Sequence, residues 1–323
     1  MFLAQKKLIG LKLDSPAYVE GGMSLANSDL FFRADNLKYT PAIAEYARKY
    51  ATGDLAKYAS VMGKRDLTIA FSLDLAWGGA VATAPEWDSL LQSCGFTKTT
   101  YTTTGIGWAL GSINVARPLT LWIVEMNEAS TAQMLIKGAG MCGSVKFSMS
   151  KVGDPVKMEF EFKGVFGGIV DATGSSLLSH GTFVASSPDA VLASTVTAMA
   201  YALDMEKIEI NIGNKVELIT DPARAAGIRG GIIVSREPKL TADPYLDSIA
   251  NKDFLTKWTG NTTGAFAMTI GSHLALSAPA IQLIKGYEGG ARNELTTNSL
   301  DFNLTRTSDS VDAEFEILQG SKT

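Results

Sequence analysis

Cysteine and histidine are scarce in this 323-residue sequence, with two of each. Cys94 and Cys142 sit in apolar or glycine-rich settings and do not make a disulfide framework, so both are expected to be reduced packing residues. His180 lies in a Gly/Ser-rich stretch, where a solvated ring is expected, and His273 lies in the alternating segment TIGSHLALS, as a face residue of a strand. Neither has a nucleophile or further ligand at a suggestive spacing, which argues against a hydrolase triad or a metal cluster. Basic clusters are also missing. Lys and Arg number 29 against 33 Asp and Glu, for a net charge of -4, which argues against a tight grip on a phosphate backbone. No apolar run approaches the roughly 18 to 20 residues of a spanning helix, so no membrane insertion is expected. The opening MFLAQKKLIGLKLDS is interrupted by Lys6, Lys7 and Lys12 and lacks the apolar core of an export signal, so synthesis in a cytoplasm is expected.

Apolar residues make up 46% of the chain, enough for two cores of ordinary size. The most informative stretch is a pattern written twice, FSMSKVGDPVKMEFEF at 147–162 and FNLTRTSDSVDAEFEI at 302–317. Ungapped, the copies agree at Phe147/Phe302, Asp154/Asp309, Val156/Val311, Glu159/Glu314, Phe160/Phe315 and Glu161/Glu316. Apolar and polar residues alternate on both sides of a Gly-Asp-Pro or Ser-Asp-Ser break, which predicts a β-hairpin in each copy. A hairpin is marginal alone, so each is expected to close a larger sheet, and the chain to be a tandem duplication.

Other segments fit that scheme. DLTIAFSLDLAWG predicts a strand with Leu67, Ile69, Phe71, Leu73 and Leu75 on one face. APEWDSLLQSCGF predicts a short helix, with Pro85 at its start, acidic residues in its first turn and Gly95 at its end. DPYLDSIANKDF repeats that grammar at Pro244, Asp247 and Ser248 and predicts a second helix. The stretch 42–61 predicts either weak helical turns or a long exposed loop, longer than its counterpart near GNKVELITDPARAAGIRG. The tyrosines of the loop from Tyr39 to Ser60 suit a surface covered by another subunit, with Tyr39, Tyr46, Tyr50 and Tyr58 as assembly candidates. The expected organisation is a first domain over 1–171, a Gly/Ser-rich linker over 172–192 and a second domain over 193–323. Each is a mainly β unit, a β-sandwich or open barrel, with a short flanking α-helix.

Two chemical signals are weak. GAGMCG at 138–143 fits G-x-G-x-x-G, but a strand rather than a helix follows it, so a turn or bulge is expected instead of a phosphate cradle. The alternating carboxylates Glu159, Glu161, Glu314 and Glu316 could mimic an acid pair, yet their repetition suits the polar face of a sheet. No catalytic residue, metal site or cofactor is expected.

The segment 20–99, from VEGGMSLANSDLFFRADNLKYTP through APEWDSLLQSCGFTKT, resembles the tail tube (major tail) proteins of long-tailed, non-contractile bacteriophages. GAGMCGSVKFSMSKVGDPVKMEFEFKGVFGG and the ending LSAPAIQLIKGYEGGARNELTTNSLDFNLTRTSDSVDAEFEIL are similar to the same family's Gly-rich turn and closing region. The resemblance implies a virion structural protein whose stacked rings form a hollow tube for genome ejection. A ring of six tube domains would take three chains. It also implies tape-measure, tail-terminator and tail-tip proteins as partners and DNA as a transient passenger. Glu159, Glu161, Glu314 and Glu316 are then candidates for the lumen wall. The alternative is an adhesion or baseplate β-sandwich that caps or decorates a phage particle.

Overall fold

The computed structural model describes residues 2–15, 17–18, 30–32, 34–48, 59–101, 104–111, 116–127, 132–173, 188–192, 194–307 and 314–321. Its elements, in chain order, are β1 (Phe2–Leu13), β2 (Leu30–Phe32), β3 (Asp35–Tyr46), β4 (Val61–Asp74), α1 (Asp88–Ser93), β5 (Thr97–Tyr101), β6 (Gly105–Leu110), β7 (Leu119–Asn127), β8 (Ala132–Met149) and β9 (Lys157–Thr173). The second half holds β10 (Val196–Ala198), β11 (Tyr201–Ala202), β12 (Met205–Asn211), β13 (Asn214–Thr220), β14 (Ile228–Arg236), β15 (Lys239–Pro244), α2 (Phe254–Thr259), β16 (Thr263–Ile270), β17 (Leu274–Arg292), β18 (Leu295–Thr305) and β19 (Phe315–Gly320). The chain is mainly β, and every strand pairing among the described residues is antiparallel.

The same strand order occurs in both halves. In the first, neighbours run β2-β1-β7-β8-β9-β4-β3. In the second, they run β11-β10-β16-β17-β18-β15-β12. A short helix follows the β4 or β15 strand in each half, and the chain order within the two sets is identical. The first half adds the β5–β6 hairpin, and the second adds β19. The halves also share strands' edges: β12 pairs with the end of β8, and β19 lies between β17 and β6.

Alternation explains how the sheet sorts its residues, because register-paired residues project to the same side. One rung, Leu73–Met158–Phe147–Ile210–Leu240–Phe302–Leu283, is apolar across seven strands and crosses from one half to the other. All of it but Leu73, which packs against the rest, belongs to a single apolar cluster that runs from Ile9 to Ile317. Leu67, Ile69 and Phe71 of β4 are buried in it as their alternation predicts.

Three expectations need correction. The stretch 147–162 is a hairpin, with Phe147 opposite Met158, but 302–317 is not. Ala280 pairs with Thr305, and Ser277, three residues earlier, pairs with Glu316, eleven residues later, so β19 resumes the line of β18 along β17 eight positions later in the chain than an unbroken register would place it. The partner of the β8–β9 hairpin is therefore β17–β18. Helix α2 lies downstream of its expected place, because Asp243 and Pro244 end strand β15; the Asp253 carboxylate accepts from Thr256 N at 2.8 Å and starts the helix there. Finally, 42–46 and 61–65 are neither helix nor loop. They are paired strands, from Tyr46 opposite Val61 to Ile43 opposite Arg65, that extend the β3–β4 hairpin past the last β9 pairing at Asp66.

Helix α1 is seated as its sequence predicts, with Leu90 and Leu91 fully buried. Its preceding Trp87 donates to Ala76 O at 2.8 Å and packs on Trp108, which donates to Asp88 at 2.6 Å.

Candidate functional site

The polar side of the long sheet runs across both halves. Its central rung reads Asp35–Ser72–Glu159–Lys146–Asn211–Lys239–Asn303–Gln282, polar throughout, and it crosses both halves. Lys146 stands between Glu159 at 3.0 Å and Glu209 at 3.5 Å, and Lys157 lies 3.2 Å from Asp35. Burial pulls the Lys146 ammonium toward the neutral form, but its hydrogen bond to Glu159 and the charges of Glu209 and Glu159 outweigh this and hold its pKa above the ordinary lysine value. Carboxylates and lysines thus interleave on this face. A hollow of about 820 Å³ opens on it, walled on one side by Gly213, Asn214 and Lys215 and floored by Ser144, Lys146, Glu159 and Glu161.

The four glutamates divide into two pairs. Glu159 and Glu161 are exposed on β9, on this face, as alternation against buried Phe160 and Phe162 requires. Glu314 lies before β19 in a part-buried ion pair with Arg236, 2.8 Å away, and Glu316 on β19 stands over Gly107 next to the β6 seam. The pairing of β19 with β17 and β6 gives this second pair a different place from the one that a hairpin would have given it.

Among the tyrosines, Tyr46 is at the end of the β3–β4 arm and 69% exposed. Tyr39 is half-buried at the arm's root under the Lys7 ammonium, 5.6 Å from its ring centre. Burial, then the Glu125 carboxylate, pushes the Tyr39 phenol above its ordinary pKa. Tyr50 and Tyr58 lie outside the described residues, as does His180.

His273 has a partner that spacing did not reveal. It sits in the turn before β17 rather than on a strand face, stacks flat on Trp77 at 3.9 Å and meets Asp189 through Nδ1 at 2.9 Å. Ser272 Oγ is nearly equidistant from the two ring nitrogens, at 3.5 and 3.4 Å, so it lies along neither lone pair and is not set as a nucleophile. The group joins the connector between the halves to both of them, with bridges Ala76–Pro188 and Pro155–Ala190 beside it.

The GAGMCG segment is a bulge in β8 between Ala139 and Cys142, as expected. A Cβ on Gly143 would lie 2.5 Å from the Phe162 ring and 2.6 Å from Glu161 O, so this glycine permits close strand approach. Both cysteines are free and buried, and burial pushes the Cys142 thiol up to about 12. Among the described residues, no group of three His, Cys, Asp or Glu is placed to hold a metal, and no helix is long and apolar enough to cross a membrane.

A scan against protein-family models finds no match, and a search of curated proteins finds none.

Proposed function

We propose that the chain is a structural protein that assembles head to tail into closed rings, three chains to a ring, and that the rings stack into the hollow tail tube of a bacteriophage. The observation that carries this reading is the seam within the chain. There the end of β8 in the first half pairs with β12, the first strand of the long sheet in the second, from Met149 opposite Ile208 to Lys146 opposite Asn211. In the shared strand order, β8 corresponds to β17 and β12 corresponds to β3. The corresponding edges of this long sheet, unpaired among the described residues, are the side of β17 opposite β18 beyond Gln282 and the outer side of β3. Unpaired edges invite pairing, and a heterologous contact closes into a ring when its rotation fits. A second chain could join β17 to β3 as β8 joins β12.

On this reading the interleaved polar face, with Glu159 and Glu161, lines the lumen. Lys146 and Lys157 on it are engaged by carboxylates rather than gathered into a phosphate-binding cluster, which suits DNA as a passenger, and screening confines any repulsion to about 8 to 10 Å of the wall. The role is structural rather than catalytic, its place is the virion, and its further partners are tape-measure, terminator and tip proteins.

Mass photometry with rotational averaging of stained particles tests the assembly. Rings of three chains with six-fold appearance are expected, together with extended tubes. Rings of six chains would overturn the double occupancy, and a closed oligomer that never extends would favour an adhesion or baseplate role.

A further inference from the structure

Each half has a hairpin that extends from the edge of the long sheet, β3–β4 in the first and the one that starts at β12 in the second, and the two differ in what covers them. In the second half β13–β14 continues the line of β12–β15 past a break at Gly213, with Asn211 paired with Lys239 before it and Asn214 with Arg236 after it. At that break Gly213 has φ of 64°, and a Cβ on it would lie 2.5 Å from Glu237 O. In the first half β3–β4 is the counterpart, and Asn36 takes φ of 53° within a residue of the corresponding position. Measured from Lys239 and Ser72, the return strands reach their last pairs, Thr220–Ile228 and Tyr46–Val61, after the same eleven residues.

The second-half arm is docked on the first half of its own chain. Ile212 N donates to Val145 O at 3.2 Å, and the Asn214 amide donates to Cys94 O at 2.8 Å and Gly143 O at 3.0 Å. Near its tip, Ala226 O accepts from Arg65 N at 2.9 Å, at the root of the other arm. Docking buries Ile228 to 1% exposure. Among the described residues the first-half arm has no such cover: Val61, in the place of Ile228, is 50% exposed, and Met62 beside it is 63% exposed.

We propose that the β3–β4 arm docks on the second half of a neighbouring copy of this chain as β13–β14 docks on the first half of its own. The occupant follows from the repeated strand order: if head-to-tail pairing continues from chain to chain, the body next to β3 is a neighbour's second half, as the body next to β12 is the first half. The inference rests on the ring reading and adds to it where the arm lies. Ala59, two residues before Val61 as Ala226 is two before Ile228, would then meet Ile232 of the neighbour, which takes the place of Arg65.

The test uses two full-length variants, Ala59→Cys and Ile232→Cys, purified apart, mixed, assembled and treated with a short bis-maleimide. The native thiols are buried and stay silent. A covalent pair of chains is expected in the mixture and in neither variant alone. Assembled rings without that pair, or equal cross-linking of Ala59→Cys by itself, would overturn the docking while leaving the ring intact. An unaltered protein that stays a single chain at every concentration would overturn the ring reading first. Met62→Glu gives a second readout: the melting temperature should hold while assembly weakens at least tenfold, and unchanged assembly would count against the arm.

Discussion

Replacing Phe315 with Ala would test whether the two halves melt as one body. Phe315 is fully buried on the last strand, yet its ring neighbours are Phe147 at 5.5 Å and Phe96 at 6.3 Å, both from the first half. Truncating a buried Phe costs about 3 to 5 kcal/mol, since the lost transfer energy is joined by a cavity that neighbouring strands cannot collapse into. An unfolding entropy of about 2.1 cal/mol/K per residue gives roughly 0.7 kcal/mol/K for the whole chain, so the melting temperature should fall by about 4 to 7 °C. Phe160→Ala is the paired perturbation. Phe160 is 2% exposed and packs on Phe71 at 5.5 Å and Phe162 at 5.7 Å, entirely within the first half. Differential scanning calorimetry should give one transition for the unaltered protein, moved by a similar amount in either variant. Two resolved transitions, each moved by only one of the variants, would refute the shared core. An unmoved melting temperature in both would mean that the buried and exposed faces had been assigned the wrong way round.

Two further outcomes follow from the site geometry. Glu159→Lys with Glu161→Lys should leave the melting temperature nearly unchanged, whereas Glu314→Lys should lower stability by about 1 to 3 kcal/mol by setting two cations together at Arg236; chemical denaturation distinguishes them, and equal tolerance would remove the Arg236 pair from the account. For Cys142, the buried thiol stays protonated up to about 12 while the unfolded chain ionises near 9, so its contribution to stability is intact below pH 9 and lost between about 9 and about 12. Denaturation midpoints of Cys142→Ala against the unaltered protein across that range check it, and parallel pH curves would contradict the burial.

Alternation along the chain was enough to place β4, the β8–β9 hairpin and the side on which Glu159 and Glu161 lie, because a period of two assigns faces without reference to any partner. Punctuation was enough for α1 and for the bulge at GAGMCG, since Pro, Gly and acidic first-turn residues act locally. Partner choice is another matter. The alternation of 302–317 suits a hairpin and an interrupted single strand equally well, and only the pairing of β19 with β17 and β6 separates them, which sets Glu316 beside Ser277 and Ala109 rather than in a hairpin with β18. Tyr46 was legible as exposed, but not the paired strand that carries it, because the ladder that makes 42–46 extended is supplied by residues across a turn. The same holds for Asp189 and His273, 84 positions apart, and for the seam from Lys146 to Asn211. Local sequence sets which way a side chain points; which strand lies beside it depends on the edges that the rest of the fold leaves open, and those are settled only when the whole chain has packed.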